Sequence, residues 1–373
     1  MVVSRFSVIE RALTLGGLAP LALIGAAPQH QDGRITELLP PGYVHGSAAP
    51  QNRVVVPAPT PLVTDIDGLV GAFGGKVGVA VKSIDTGWMV SKNGDVPMPQ
   101  QSVSKLWVTL TAMDQIDQGR ITLDDPLTIT QNDLTLFHQP IASLLKNGVY
   151  NTTVRELIRR AMTMSDNTAN DRLLRHVGGP TAVNAFIARH SLGAIKFGPG
   201  ERLLQSRTAG LQWRQDYAMG RAFQAARAKL APGVRQAAFN SYVANPIDGA
   251  AAASIANALT KLRRGELLSP QSTSYIIGVM ESSRTGHARL RASVPPGWRL
   301  AHKTGTGQDL MGRTAGFNDV GILTAPDGRA YSIAVMIGDT TRPTQDRQKL
   351  MQNIVARVVA YHDTEAPQRL MAR

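Results

Sequence analysis

The pattern of apolar and polar residues predicts strands near both ends of the chain. Near the amino end, Val77–Ile84 and Trp88–Ser91 flank an Asp-Thr-Gly turn, which is typical of a β-hairpin. Near the carboxyl end, Val320–Leu323 and Tyr331–Ile337 flank a Pro-Asp-Gly turn in the same way. A helical pattern follows from about residue 345 to 361. We therefore expect one sheet that is built from both ends of the chain.

Helical periodicity dominates the middle of the chain. Apolar residues at helical spacing predict helices over Lys105–Asp117, Val154–Met164, Ala169–His190 and Ala250–Leu262. The fold class that follows is α/β (α+β): an antiparallel sheet of about five strands flanked by helices, with an all-helical insertion. We place the α/β part at residues 62–100 and 295–366 and the helical part at residues 101–294, within one domain over 62–366.

The amino-terminal segment has the features of a signal peptide. In residues 1–27, Arg5 and Arg11 precede an apolar stretch that ends in small residues. No later window has about 18 uninterrupted apolar residues, so we expect no membrane span after export. An uncleaved amino-terminal anchor is the alternative. Residues 28–61 are rich in Pro, Gly and Ala and predict a linker, and the expected location is periplasmic or secreted.

Composition excludes several classes of site. The chain of 373 residues has a formal net charge of +13, but its basic residues are dispersed, so we expect no nucleic-acid partner. It has no cysteine, which excludes thiol nucleophiles and disulfides. Its eight histidines lack metal-ligand spacing, and no serine lies in a G-x-S-x-G elbow. We therefore expect neither a metal nor another cofactor, and we expect a monomer.

Three short motifs carry candidate chemistry, and they occur in a fixed order along the chain. They are Ser102-Val103-Ser104-Lys105, Ser165-Asp166-Asn167 and Lys303-Thr304-Gly305, which match S-x-x-K, S-D-N and K-T-G. Each motif alone occurs by chance, and a second S-x-x-K lies at Ser143–Lys146. The order and spacing of the three motifs together make chance an unsatisfactory explanation.

The first motif predicts a nucleophile. On a helix, residues three apart share one face, so Lys105 lies beside Ser102 and can act as its base or proton relay. Backbone N–H groups of Ser102 and Thr306 would form the oxyanion hole. The simpler alternative is an ordinary helix start, with Ser102 as the cap and Lys105 in water.

The other two motifs predict the opposite walls of a cleft. Ser165 would pass a proton to the leaving nitrogen, while Asn167 would hold Lys105 and a substrate amide. Lys303, Thr304 and Gly305 would form an edge strand, where the glycine lets a ligand approach and the cation attracts a carboxylate. Helix capping by the second motif and a glycine-rich turn at the third are the alternatives.

From about Leu62 to Tyr361 the chain resembles the class A β-lactamases. The three motifs carry the resemblance, together with connecting segments such as Thr153–Leu157, Gly178–Pro180 and His287–Ala292. The resemblance implies the β-lactamase/transpeptidase-like fold. It also implies that the substrate is a small β-lactam or a peptidoglycan peptide.

The resemblance also implies further site residues. Glu201 matches the glutamate that activates the deacylating water, and Gln205 replaces the asparagine of the E-x-x-L-N pattern. Arg313 is a candidate partner for the substrate carboxylate. About thirty extra residues, roughly 214–245, follow Glu201, and the Arg/Asp pair that usually closes this loop is not evident.

These observations favour a serine β-lactamase that works through an acyl-serine intermediate. Two alternatives remain at this point. One is a peptidoglycan DD-peptidase or penicillin-binding hydrolase that deacylates slowly, which the change to Gln205 and the extra residues favour. The other is a penicillin-binding sensor without turnover, which the basic charge and the long linker favour.

Overall fold

The computed structural model describes the backbone of residues 56–370 and the side chains of residues 56–365. The predicted signal peptide and most of the predicted linker lie outside the described residues. Helix α1 begins at Thr60, directly after Pro59, so the last two residues of the predicted linker belong to the folded domain instead. No helix in the described part of the chain is both long and apolar enough to cross a membrane.

The strands in this part of the chain, in order, are β1 Lys76–Ser83, β2 Met89–Lys92, β3 Met98–Pro99, β4 Pro126–Thr130, β5 Val149–Thr153, β6 Gly249–Ala250, β7 Arg299–Thr306, β8 Asp309–Leu310, β9 Arg313–Thr314, β10 Phe317–Thr324 and β11 Ala330–Asp339. The helices are α1 Thr60–Phe73, α2 Lys105–Asp117, α3 Val154–Arg159, α4 Asn167–His176, α5 Gly179–Arg189, α6 Glu201–Thr208, α7 Ala222–Lys229, α8 Pro232–Ala244, α9 Ala252–Arg263, α10 Pro270–Glu281 and α11 Thr344–Leu370. Short 3₁₀ turns connect several of them.

The main sheet confirms the predicted assembly from both ends of the chain. Its five strands lie in the order β2-β1-β11-β10-β7, and every neighbouring pair is antiparallel. The two predicted hairpins are β1–β2 and β10–β11. Strand β7 lies at the edge of the sheet next to β10, with Lys303 opposite Val320 and Gly305 opposite Asn318.

Both faces of the sheet are covered. Val79 on β1 and Val335 on β11 belong to a core that includes apolar residues of α1 and α11. Their neighbours Ala80 and Ala334 point to the opposite face and belong to the core that includes α2 and α9, because successive strand residues alternate between faces. Helix α2 is buried at every position from Lys105 to Met113, so it lies at the centre of the molecule.

The region from 101 to 294 is helical in the main but not throughout. Strands β4 and β5 form a two-stranded antiparallel sheet inside it, which the sequence analysis did not predict. The helix predicted over Ala169–His190 is two helices, because Gly178 has φ 101° and ends α4 before α5 begins. The helix predicted over Val154–Met164 changes to a π-helical turn at Arg160, and Ser165 follows it in the left-handed conformation.

One glycine allows the two parts of the domain to meet closely. A Cβ atom on Gly305 of β7 would lie 2.4 Å from the carbonyl oxygen of Gln100. Only glycine permits this approach, which brings the turn before α2 against the edge strand. The first and third motifs therefore lie side by side.

Candidate active site

Ser102 lies in a 3₁₀ turn, Gln101–Ser104, that leads directly into α2. Lys105 is the first residue of α2 and is completely buried. Its Nζ donates a hydrogen bond of 2.8 Å to Ser102 Oγ, as the spacing of three residues predicts. The structure therefore brings this serine and this lysine into the contact that nucleophile activation requires.

Glu201 completes a chain of polar contacts from Ser102. It is 2% exposed, and its Oε1 accepts a hydrogen bond from Lys105 Nζ within an ion pair. Glu201 is the first residue of α6, where the helix dipole favours a negative charge. Lys105 thus lies between the hydroxyl of Ser102 and the carboxylate of Glu201.

A buried aspartate holds the start of α6. Asp171 on α4 accepts hydrogen bonds from the backbone N–H groups of Glu201 at 2.9 Å and Arg202 at 3.2 Å. Burial, and secondarily the nearby charge of Glu201, raise the pKa of Asp171. Asp171 therefore fixes the backbone from which Glu201 projects. It lies four residues after Asn167 on the same helix face, and that spacing is the signal that could have identified it.

Gln205 lies one helical turn after Glu201 and is nearly buried. Its amide nitrogen donates to Glu201 Oε2 at 3.1 Å and to Gln101 Oε1 at 3.0 Å. Its own Oε1 accepts from Gln308 Nε2 at 3.0 Å. The amide is thus tied to protein groups on three sides and orients the free oxygen of Glu201.

Ser165 and Lys303 meet from opposite walls. Lys303 Nζ donates to Ser165 Oγ at 2.9 Å and to the carbonyl oxygen of Thr304 at the same distance. Burial, and secondarily the charge of Lys105, lower the pKa of Lys303 well below its usual value, against the opposing charge of Glu201. A lysine with a lowered pKa beside a serine hydroxyl can take up or relay a proton.

Asn167, the last residue of the second motif, begins α4 and is 5% exposed. Its side-chain nitrogen donates to the carbonyl oxygen of Leu136 at 2.8 Å, while Lys105 is held by Ser102 and Glu201. Asp166 caps α4 by accepting from the N–H of Ala169 at 3.0 Å. The Ser165-Asp166-Asn167 motif thus both caps α4 and lies at the cleft.

The far end of β7 is contacted by an arginine that the sequence analysis did not select. Arg289 donates to the hydroxyl of Thr306 at 2.6 Å and to the carbonyl oxygen of Gly305 at 2.9 Å. Burial lowers the pKa of Arg289 to about 10. Its signal in the sequence was its position in the His287–Ala292 segment that carried the resemblance.

Arg313, the arginine that the sequence analysis proposed, has other partners. It forms a two-point contact with Asp339, at 3.2 Å from Nε and 2.7 Å from an Nη, and it donates to Asn240 at 2.7 Å. The structure therefore places Arg289, and not Arg313, against the residues of the third motif. The periodicity of the sequence could not distinguish the two arginines, because tertiary packing determines which partners each of them contacts.

Comparisons with known proteins agree with this geometry. Residues 61–362 match the model of the β-lactamase enzyme family. The β-lactamase VEB-1 of Pseudomonas aeruginosa is 26% identical over 294 residues, which are 79% of this chain and 87% of that protein. The extended-spectrum β-lactamase PER-1 of the same organism is 28% identical over 299 residues, 80% of this chain and 86% of that protein.

A solved structure agrees as well. An ancestral class A β-lactamase superimposes with a TM-score of 0.63 at 26% identity, over 80% of this chain and 99% of that one. The family match spans nearly all of the described domain and includes all three motifs, Glu201 and the edge strand. This chain belongs to the β-lactamase enzyme family, and it is a serine β-lactamase of class A.

Proposed function

We propose that Ser102 opens the β-lactam ring and that Lys105, as it passes its own proton to Glu201, accepts the proton of Ser102. The support is the 2.8 Å hydrogen bond between Ser102 Oγ and Lys105 Nζ, together with the contact of Lys105 to Glu201. Attack by Ser102 Oγ on the lactam carbonyl forms the acyl ester and breaks the carbonyl–nitrogen bond. The backbone N–H groups of Ser102 and Thr306 stabilise the oxyanion that forms on the way, each donor contributing about 3 kcal/mol.

The nitrogen that leaves needs a proton, and we assign its delivery to Ser165. Ser165 Oγ accepts a hydrogen bond from Lys303 Nζ, whose lowered pKa suits it to a relay. The proton passes from the hydroxyl of Ser165 to the nitrogen, and Lys303 restores it. This role accounts for a lysine that is buried beside a serine, which would otherwise be an unfavourable arrangement.

We propose that the carboxyl-terminal end of β7 binds the substrate carboxylate. The hydroxyls of Thr304 and Thr306 lie there, with the positive charges of Lys303 behind them and of Arg289 beside them. Arg289 takes the role that the sequence analysis gave to Arg313. Asn167 and Gly305 border the cleft and bind the acyl side chain of the substrate through its amide.

Glu201 is the group that we propose removes the acyl chain. After acylation, Glu201 releases the proton that it gained from Lys105, and Lys303 regains the one that it gave up. Glu201 then takes a proton from water, the water oxygen attacks the ester carbonyl, and the proton returns to Ser102 Oγ as the ester bond breaks. Gln205 holds one oxygen of Glu201 and leaves the carboxylate oriented for this step. The single observation that carries the proposal is a buried glutamate in contact with the lysine that touches the nucleophile. It favours fast deacylation over the slow-releasing peptidase and the sensor.

The test of this proposal compares Glu201→Gln with wild type and with Glu266→Gln, an exposed glutamate used as a control. With a chromogenic cephalosporin, we expect intact-protein mass spectrometry to show a persistent adduct on Ser102 in Glu201→Gln alone. We expect wild type and the control to return to the free mass within the mixing time. Equal adduct lifetimes in all three proteins would contradict the role of Glu201.

We further propose that the protein acts in the periplasm or outside the cell as a monomer, after removal of residues 1–27. The support is the charged and apolar pattern at the amino end. The mass of the protein recovered from the periplasmic fraction and its mass by light scattering test this. A mature protein that retains Met1, or a dimeric mass, would contradict it.

A further inference from the structure

A buried polar network joins the residues after Glu201 to the turn that carries the nucleophile. Asp248, between β6 and α8, is 1% exposed. One carboxylate oxygen accepts from the hydroxyl of Tyr242 on α8 at 2.9 Å, and the other accepts from the backbone N–H of Gln101 at 2.9 Å. Both donors are neutral. A buried carboxylate that is held only by neutral donors depends strongly on each of them.

Gln101 is the residue before the nucleophile, and its conformation is unfavourable without support. It has φ 52° and is fully buried. A non-glycine residue in the left-handed region is strained and persists only where its surroundings hold it. Gln101 directly precedes Ser102, so its backbone conformation sets the orientation of Ser102 in the turn. The groups that hold Gln101 therefore also position Ser102.

Tyr242 supports Gln101 in two ways, once directly and once through Asp248. Its hydroxyl oxygen accepts a 2.7 Å hydrogen bond from Gln101 Nε2, while its proton goes to Asp248. Asp248 in turn holds the backbone of Gln101. The side-chain oxygen of Gln101 accepts from Gln205, which also donates to Glu201. The hydroxyl of Tyr242 therefore supports both the nucleophile turn and the residue that orients Glu201.

We propose that Tyr242, which lies within the extra segment of roughly residues 214–245, is a positioning residue for Ser102. It acts through Asp248 and Gln101 and touches no reacting atom. The extra segment thus supplies part of the frame of the active site. This inference rests on the proposed role of Ser102 as the nucleophile.

The charge state of Asp248 gives the proposal a distinctive signature. The groups that face its carboxylate are the hydroxyl of Tyr242 on α8, the N–H of Gln101 before α2, and the charge of Glu201 on α6. Burial raises the pKa of Asp248 to about 6, the Tyr242 hydrogen bond opposes this rise, and Glu201 adds to it. Loss of the hydroxyl raises the pKa further. A protonated carboxyl group can no longer accept strongly from both donors, so the turn loosens at mildly acidic pH.

The experiment compares Tyr242→Phe with wild type and with Tyr331→Phe. Tyr331 is a buried tyrosine on β11 whose hydroxyl contacts His362, so its variant loses a hydrogen-bonded hydroxyl outside the network. The readout is the kcat/KM for a chromogenic cephalosporin between pH 5 and 8. We expect Tyr242→Phe to lose about tenfold at pH 6 and clearly less at pH 8, so that its acidic limb moves to higher pH. Tyr331→Phe should keep the wild-type profile.

The double variant Tyr242→Phe with Asp248→Asn identifies the titrating group. Because asparagine does not ionise in this range, we expect the extra acidic shift of Tyr242→Phe to disappear there. Superimposable profiles for Tyr242→Phe, Tyr331→Phe and wild type would overturn the inference. So would a loss in Tyr242→Phe that is equal at every pH, because that is the result of a merely structural role. A wild-type protein that does not hydrolyse the cephalosporin, together with a Glu201→Gln variant that forms no adduct on Ser102, would instead remove the proposed function itself.

Discussion

Asp248 titrates inside the protein, and its substitution should change how stability depends on pH. Burial raises the pKa of its carboxyl group from 3.8 to about 6. Between these values the folded protein holds a proton that the unfolded chain has released, so stability falls as the pH rises. At about 1.4 kcal/mol per pH unit, the rise in pKa from 3.8 to about 6 lowers the free energy of unfolding by about 3 kcal/mol across this pH range. This contribution is fully present below about pH 4 and is lost above about pH 6.

Urea unfolding of wild type and Asp248→Asn at pH 4, 5, 6 and 7 measures this contribution. The asparagine does not titrate, so we expect the free energy of unfolding of Asp248→Asn, minus that of wild type, to rise by about 3 kcal/mol from pH 4 to 7. Asp95→Asn, at an exposed aspartate, is the matched control for the same chemical change. A difference for Asp248→Asn that stays constant across the range would refute the reasoning.

Two further predictions concern the edge strand. Arg289→Ala removes the hydrogen bonds to Thr306 and Gly305, and with them a partly buried positive charge, so we expect the KM for β-lactams with a free carboxylate to rise about tenfold or more. Steady-state kinetics measure this, and an unchanged KM would exclude Arg289 from carboxylate binding. Gly305→Ala places a Cβ atom 2.4 Å from the carbonyl oxygen of Gln100, which forces β7 and the nucleophile turn apart. A displacement of about 1 Å should slow acylation of Ser102 by on the order of 100-fold, as stopped-flow measurement of adduct formation would show, and a wild-type rate would contradict this.

Local pattern was sufficient to predict both hairpins of the main sheet and the helix α2 that follows Ser102, whereas the edge strand that carries Lys303 was expected only from the K-T-G motif. Strands β1, β10 and β11 are mostly apolar runs beside short turns, and α2 has the predicted bounds, Lys105 to Asp117. These signals are local because a strand or helix repeats its pattern within a few residues. A cleft formed by all three motifs requires the segments that carry them to meet. They do, because Lys303 contacts Ser165 and Gly305 packs against Gln100.

The break at Gly178 and the hairpin of β4 and β5 were not predicted. The break has a local signal, Gly178-Gly179-Pro180, that the sequence analysis did not use, because glycines followed by a proline end a helix. The pairing of β4 with β5 has no such local signal, because it joins two segments that are separated along the chain.

Within the site, the residues that pattern could not identify are those that act by position. Asp248, Tyr242 and Arg289 lie far from the motifs in sequence, and each reaches its partner across the fold. The sequence alone does not distinguish a buried aspartate from an exposed one. Its role follows from the two donors that face it, which the structure alone reveals.

The central claim is that Ser102 is acylated and then released repeatedly, and turnover of a chromogenic cephalosporin by purified protein tests it most directly. We expect steady hydrolysis of many equivalents per protein in wild type and none in Ser102→Ala, with the fold retained in both by circular dichroism. A single equivalent of product in wild type, followed by a halt, would contradict it, and so would undiminished hydrolysis in Ser102→Ala.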